Sequence, residues 1–152
     1  MRTLALMIAV FACLTAQPAL SCSRLPPGTP EEEARRLLDW QTDRMDWSST
    51  IFLARVIDIE SVPVRGAPFE GTRVTLEPLR SLKGEVPSQS FTLQHDAYTS
   101  CGLSPEWPAL RGEVGDIYVV FATSSRVSQD YVFFTLSPDE IVVPALRDLL
   151  DR

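Results

Sequence analysis

The chain has 152 residues, with 14 Lys+Arg against 20 Asp+Glu, for a formal charge of −6. Such an acidic balance, with no basic run, excludes the phosphate neutralisation that nucleic-acid binding depends on. The same charge disfavours adsorption on an anionic membrane surface. Hydrophobic residues make up 45% of the chain, enough to bury one core in one domain.

Residues 1–21 have the layout of a secretory signal. Arg2 supplies the positive start, Leu4 to Leu14 is an uncharged apolar run, Pro18 breaks it, and Ala19 and Ser21 are small residues before a cut. The run is too short to span a bilayer, which takes about 20 residues. The expected location is outside the cytoplasm: secreted, periplasmic or in the cell envelope. Ala19-Leu20-Ser21-Cys22 also allows a lipoprotein reading, although Ala19 and Leu20 fit that motif poorly. A lipid anchor on Cys22 is then the alternative to a free amino terminus. Among the charged residues the cut removes only Arg2. Residues 22–152 therefore carry 13 bases and 20 acids, a formal charge of −7.

Cys13 leaves with the signal, so Cys22 and Cys101 remain. In an oxidising compartment an even pair reads most simply as a disulfide. On the chain-entropy model a loop of this size gains about 4.5 kcal/mol of stability. The alternative is lipid-modified Cys22, in which case the pair does not form.

Arg24 to Gly28 holds two prolines and reads as an extended connector. Thr29 then suits a helix N-cap, Pro30 the first helical position, and Glu31, Glu32 and Glu33 the positive end of the helix dipole. The spacing predicts an amphipathic helix over about 30–46. Its inner side is Ala34, Leu37, Leu38, Gln41 and Met45, flanked by Trp40 and Trp47.

From Thr50 the chain turns β-like. Thr50 to Ile59 is rich in β-branched and aromatic residues. Ser61 to Gly71 reads as a long hairpin loop. Thr72 to Leu82 is a second strand, with a bulge or an edge expected at Pro78. Lys83-Gly84-Glu85 turns the chain. Ser90 to His95 is a third strand, and Asp96 to Gly115 is a long loop carrying Cys101 and Trp107. Asp116 to Ala122 is a continuous apolar run, read as a central strand. Tyr131 to Leu136 follows a polar turn, and a short helix of about 144–151 closes the chain on Leu146, Leu149 and Leu150. The expected fold is mainly β: a five-stranded antiparallel Greek-key barrel of the OB type, with an N-terminal helix and a short C-terminal helix.

Several residues in order carry a resemblance. They are Cys22, then Ala54-Arg55-Val56 ending the first strand, Leu82-Lys83-Gly84, Ser100-Cys101-Gly102, and Gly115-Asp116-Ile117-Tyr118-Val119-Val120-Phe121-Ala122. Together they resemble the netrin-like, OB-fold domain of the tissue inhibitors of metalloproteinases, and especially exported bacterial proteins similar to them. The resemblance covers about 22–123. Cys22-Ser23-Arg24 lacks the family's second cysteine, and Tyr131 to Leu136 lacks that cysteine's partner. One whole disulfide is therefore missing.

The resemblance implies a zinc-protease inhibitor whose amino terminus forms a wedge. Cys22 would ligate the target's zinc through its α-amine and carbonyl, Ser23 would enter the specificity pocket, and Thr99-Ser100-Cys101 would form the adjoining ridge. An α-amine with pKa about 7.7–8.0 reaches its neutral, ligating form near neutral pH. The same domain type also serves as an exported binding or structural module without inhibition. A non-enzymatic module with a protein partner is thus the first expectation, and metalloprotease inhibition the second.

Enzymatic chemistry is the third. The single histidine, His95, precedes Asp96 and lies near Cys101 in sequence, so a Cys/His nucleophile has to be weighed. A bridged cysteine cannot serve as that nucleophile, and His95 shares a strand face with Phe91 and Leu93, which makes it structural. No phosphate loop, Gly-x-Ser-x-Gly or dinucleotide motif occurs. No catalytic residue, cofactor or intrinsic metal site is expected.

Overall fold

The computed structural model describes residues 27–152. The expected signal, Cys22 and Ser23 lie outside the described residues. Thr29 starts helix α1 (Pro30–Trp47) with a full capping box. Its hydroxyl accepts from the Glu32 N–H at 3.3 Å, and its own N–H donates to the Glu32 carboxylate at 2.9 Å. Ser48 ends the helix, its N–H and its hydroxyl both donating to the Arg44 carbonyl.

Five strands form one antiparallel sheet: β1 (Thr50–Pro63), β2 (Glu70–Lys83), β3 (Phe91–Gln94), β6 (Ile117–Ala122) and β7 (Val132–Leu136), in the order β3-β2-β1-β6-β7. A separate hairpin, β4 (Ala97–Thr99) and β5 (Gly102–Ser104), stands apart as a two-stranded sheet. Helix α2 (Pro144–Leu150) follows β7.

Strand β1 binds β2 along its full length and β6 along residues 50–55. Its register slips at Ile51/Phe52, Leu53/Ala54 and Val56/Asp58, and Pro78 lies opposite Ala54. A proline at a slip avoids the loss of a ladder bond, as the sequence led one to expect. Slips of this kind increase twist and curl the sheet.

Both faces of the sheet centre are buried. Phe52, Ala54, Val56, Val74, Leu76, Phe91, Leu93 and Val120 pack on one face, closed over by Trp107, Ala109 and Leu110. Ile51, Val119, Phe121 and Leu136 pack on the other, against Ile141, Val143 and Leu146. Residues 118–122 alternate between the two clusters, so the run is apolar throughout instead of alternating.

Several boundaries differ from the sequence expectation. Strands β1 and β2 run on to Pro63 and from Glu70, shrinking the expected 61–71 loop to residues 64–69. Cross-strand pairing overrides the turn-like composition there, carrying the ladder out to Pro63 opposite Glu70. The expected long loop, 96–115, is built instead. It contains β4, β5 and a single 3-10 turn at Pro108–Arg111. Trp107 anchors that turn, its Nε1–H donating to the Phe133 carbonyl at 3.2 Å, and the Ala109 N–H donates to the Thr135 hydroxyl at 3.1 Å.

The expected closed barrel is not found. Among the described residues no ladder joins β3 to β7, the two edges of the sheet. β3 is only four residues long, and the chain leading into β7 forms a 3-10 turn at Gln129–Tyr131 beside it. The gap is bridged by one side chain, Gln129, whose Oε1 accepts from the Gln94 N–H at 2.8 Å.

Helix α1 packs through its C-terminal half only. Gln41 is its one buried residue, Trp40 and Met45 are half-buried, and Leu37 and Leu38 are exposed. Trp40 meets Phe134 edge-on at 4.6 Å. Gln41 spans to the chain before α2: its Nε2 donates to the Glu140 carbonyl and its Oε1 accepts from the Val142 N–H, both at 2.8 Å. One side-chain amide thus replaces two backbone partners. At the far end of α2, Arg80 donates to the Leu149 and Leu150 carbonyls at 2.9 and 3.1 Å, a cation at the negative helix end.

Replacing Gln41 by alanine leaves the Glu140 carbonyl and the Val142 N–H unmatched. The expected cost is about 2–4 kcal/mol, read as a lower urea midpoint at unchanged slope. A loss under half a kcal/mol would show that water satisfies both groups.

Candidate functional site

The sequence-predicted ridge maps to the β4–β5 hairpin. Its strands pair Ala97 with Ser104, Tyr98 with Leu103 and Thr99 with Gly102, leaving Ser100 and Cys101 as the turn. The turn builds itself. The Thr99 hydroxyl accepts from the Cys101 N–H at 3.2 Å and donates to the Gly102 carbonyl at 3.1 Å. Gly102 has φ +118°, a backbone state that a side chain would strain. Thr99, Ser100 and Cys101 are all exposed. The other two predicted ridge residues, Cys22 and Ser23, and the predicted Cys22–Cys101 bridge fall outside the described residues.

The hairpin is docked and does not hang free. The Asp96 N–H donates to the Ser104 carbonyl at 2.8 Å, and the Tyr98 N–H to the Arg65 carbonyl at 3.0 Å. Arg65 and Ala97 form an isolated parallel bridge, which ties the hairpin to the loop between β1 and β2. That loop contributes Phe69, which meets Tyr98 edge-on at 5.2 Å between ring centres. Phe69 is 47% exposed and Tyr98 46%. Two large rings half in water beside a polar turn make an anchor of the kind protein interfaces use.

Sequence reasoning missed this aromatic pair. Its signal was present, since Phe69 and Tyr98 each sit in a turn-rich stretch with no periodic pattern to bury them. What the sequence lacks is the docking of the two loops.

His95 lies at the hairpin's root. It is buried, and its Nδ1 accepts from the Thr72 N–H at 3.0 Å. Gly71 makes room for it: a Cβ there would stand 2.4 Å from the Val64 Cγ2 and 2.9 Å from the His95 Cβ. Asp96 is turned away to a different task, accepting from the Gln129 Nε2. The neighbouring His95 and Asp96 thus serve the sheet, in keeping with a structural histidine. Burial lowers the His95 pKa below 6.5, and the positive charge of Arg111 adds to this, against the opposing pull of Asp96 and Glu106.

Acidic groups gather near Tyr118, where Glu106, Arg111, Asp139 and Glu140 line a shallow cleft with it. Each acid has a local partner. Glu106 pairs with Arg111 at 3.4 Å, while Asp139 accepts from the Ser137 hydroxyl, which holds its carboxyl below the usual range. Glu140 accepts from the Ser137 N–H at 3.1 Å. Burial, followed by the Asp116 carboxylate, pushes the Tyr118 hydroxyl up, so it stays protonated. Among the described residues no group of three His, Cys, Asp or Glu is placed to hold a metal ion. No helix among them is long and apolar enough to cross a membrane.

Comparison with protein-family models, with curated proteins and with solved structures returns no match.

The lowered His95 pKa has a signed consequence. The unfolded imidazole takes up a proton near pH 6.5, whereas the folded one does so only at lower pH. Stability is therefore highest above about pH 6.5 and declines as the pH falls below it, by at most about 1.4 kcal/mol per pH unit for one proton. Urea midpoints between pH 7.5 and 5.5 should fall for the native chain and fall less steeply for His95→Gln. Equal slopes in the two proteins would assign the pH dependence to other groups.

Proposed function

We propose that this protein is an exported, non-enzymatic binding module with a netrin-like OB frame, presenting the β4–β5 hairpin to a protein partner. The observation that carries the reading is the exposed, self-braced Thr99–Gly102 turn with the Phe69–Tyr98 pair beside it. A turn fixed by its own hydroxyl and docked on a second loop needs little further ordering when it binds, which lowers the entropic cost of association. The strand order supports the frame: a five-stranded Greek-key barrel opened along one seam has its strands in this sequence. The net charge of −6 supports a protein partner over nucleic acid.

Metalloprotease inhibition is the second reading, favoured by the exposure of Thr99, Ser100 and Cys101 at the hairpin tip. A bridge from Cys22 to that tip would set the mature α-amine beside the ridge. The reading requires removal of 1–21 and an unmodified amine.

Three experiments decide between them. N-terminal sequencing and intact mass of the exported protein should show a chain starting at Cys22, lighter than its reduced form by two hydrogens. An uncut 1–21 segment overturns the export reading, and a diacylglycerol adduct overturns inhibition. A photo-crosslinking residue in place of Tyr98 should yield a discrete protein adduct in the host, with none from the same residue at Arg35 on α1. Equal labelling from both sites removes the hairpin as the contact surface. Titration at micromolar concentration against zinc proteases tests the second reading directly, and unchanged protease activity ends it.

A further inference from the structure

The unclosed side of the sheet has chemistry of its own. In an antiparallel ladder, alternate residues direct their backbone groups to opposite neighbours. Leu93 pairs with Val74 and Phe91 with Leu76, and the His95 N–H donates to the Thr72 carbonyl at 3.0 Å. Phe91, Leu93 and His95 therefore spend their backbone groups on β2. Those of Thr92 and Gln94 point the other way, where β3 has no neighbouring strand among the described residues.

At Gln94 that direction is filled. The Gln129 Oε1 accepts from the Gln94 N–H at 2.8 Å, and its Nε2 is held by the Asp96 carboxylate. A side-chain amide stands where a strand's carbonyl would stand. Two residues earlier, at Thr92, none of the described residues does. Thr92 is exposed and borders a hollow of about 480 Å³, walled on the far side by Val127, Ser128, Gln129 and Asp130. A second hollow of about 420 Å³ continues it past Ser90 toward Pro87, with Arg126 on its far wall. The two share Ser90, Val127 and Ser128 and form one open cleft along the β3 edge. Val127 is half-buried against the core cluster that contains Phe91.

We propose that this cleft receives an extended peptide segment of a partner protein, which adds to the sheet as a strand beside β3 and bonds to the backbone of Thr92. The edge itself selects the occupant. An unpaired strand edge offers donors and acceptors spaced along the chain, and another polypeptide backbone matches them. Strands rise about 3.3 Å per residue, so an edge the length of β3 accepts roughly four residues. The incoming strand alternates, one side chain packing on Val127 and the next facing water beside Thr92. Gln129 marks the end of the slot, since it already supplies the carbonyl that Gln94 needs. This surface is separate from the hairpin tip and does not depend on that tip's role.

The test uses the mature chain and a phage-displayed library of linear peptides. Selected sequences, resynthesised, should bind saturably in the micromolar range and slow hydrogen exchange at the Thr92 amide. Thr92→Pro removes the outward N–H but no bond to β2, and should weaken binding at least tenfold with an unchanged near-ultraviolet circular dichroism spectrum. Where that variant loses the native spectrum, peptides N-methylated at alternate residues decide the matter: methylation in one register should abolish binding, and in the other leave it intact. An unenriched library overturns the proposal. So do peptides that bind Thr92→Pro equally, peptides indifferent to the methylated register, or protection mapped away from β3.

Discussion

The two-sided burial of β1 is the constraint on which the other elements depend. Over residues 51–55 the strand is paired on both edges, to β2 and to β6. Ile51 faces one core cluster, and Phe52 and Ala54 face the other. A strand held on four sides cannot shift by one residue without exchanging its entire buried set. Its three register slips instead supply the curvature that lets one sheet enclose Trp107 and Leu110 on one face while seating α1 and α2 on the other. Gly84, at φ +68°, allows the turn after β2 to close against this strand, since a Cβ there would lie 2.4 Å from the Ser49 carbonyl oxygen.

Much of this was readable from residue patterns. The helix start at Thr29 and Pro30, the apolar run over 116–122 and the break at Pro78 are local signals, and each element formed close to where its signal stood. Two kinds of feature were not readable. The first is pairing that overrides composition, as where Pro63 and Glu70 extend a hairpin through a stretch that looks like loop. The second is the single long-range contact. Nothing near Gln41 in sequence indicates residues 140–142, and helical periodicity alone put Leu37 and Leu38 inside. Trp40 on Phe134 and Gln41 on Glu140 draw the C-terminal half of α1 down and leave the first half in water. For the candidate site, Thr99, Ser100 and Cys101 were legible only as part of a long loop, while the hairpin they turn and the pairing of Phe69 with Tyr98 required long-range contacts.

The hairpin and the open cleft lie on either side of one short segment. Asp96 joins them, its N–H serving the base of the β4–β5 hairpin and its carboxylate holding Gln129 at the end of the cleft. The buried imidazole next to it fixes β2 to the same segment through Thr72. A rigid root of this kind lets two exposed surfaces be presented on strands whose backbone is already determined, and preorganisation of that sort reduces what binding must order.

The amides of Gln41 and Gln129 give the molecule a property its ion pairs do not. Both act as detached pieces of backbone, one clasping α1 to the chain before α2 and the other filling the seam beside β3. Neither bears a charge itself, although Gln129 is held in turn by the Asp96 carboxylate. Among the described residues the ion pairs Arg55–Glu77, Arg73–Glu60 and Arg111–Glu106 all have side chains at least 39% exposed, where salt and solvent reduce their contribution to little. These two joints are thus made by neutral amides, whereas the one between β2 and the end of α2 is made by the charged Arg80.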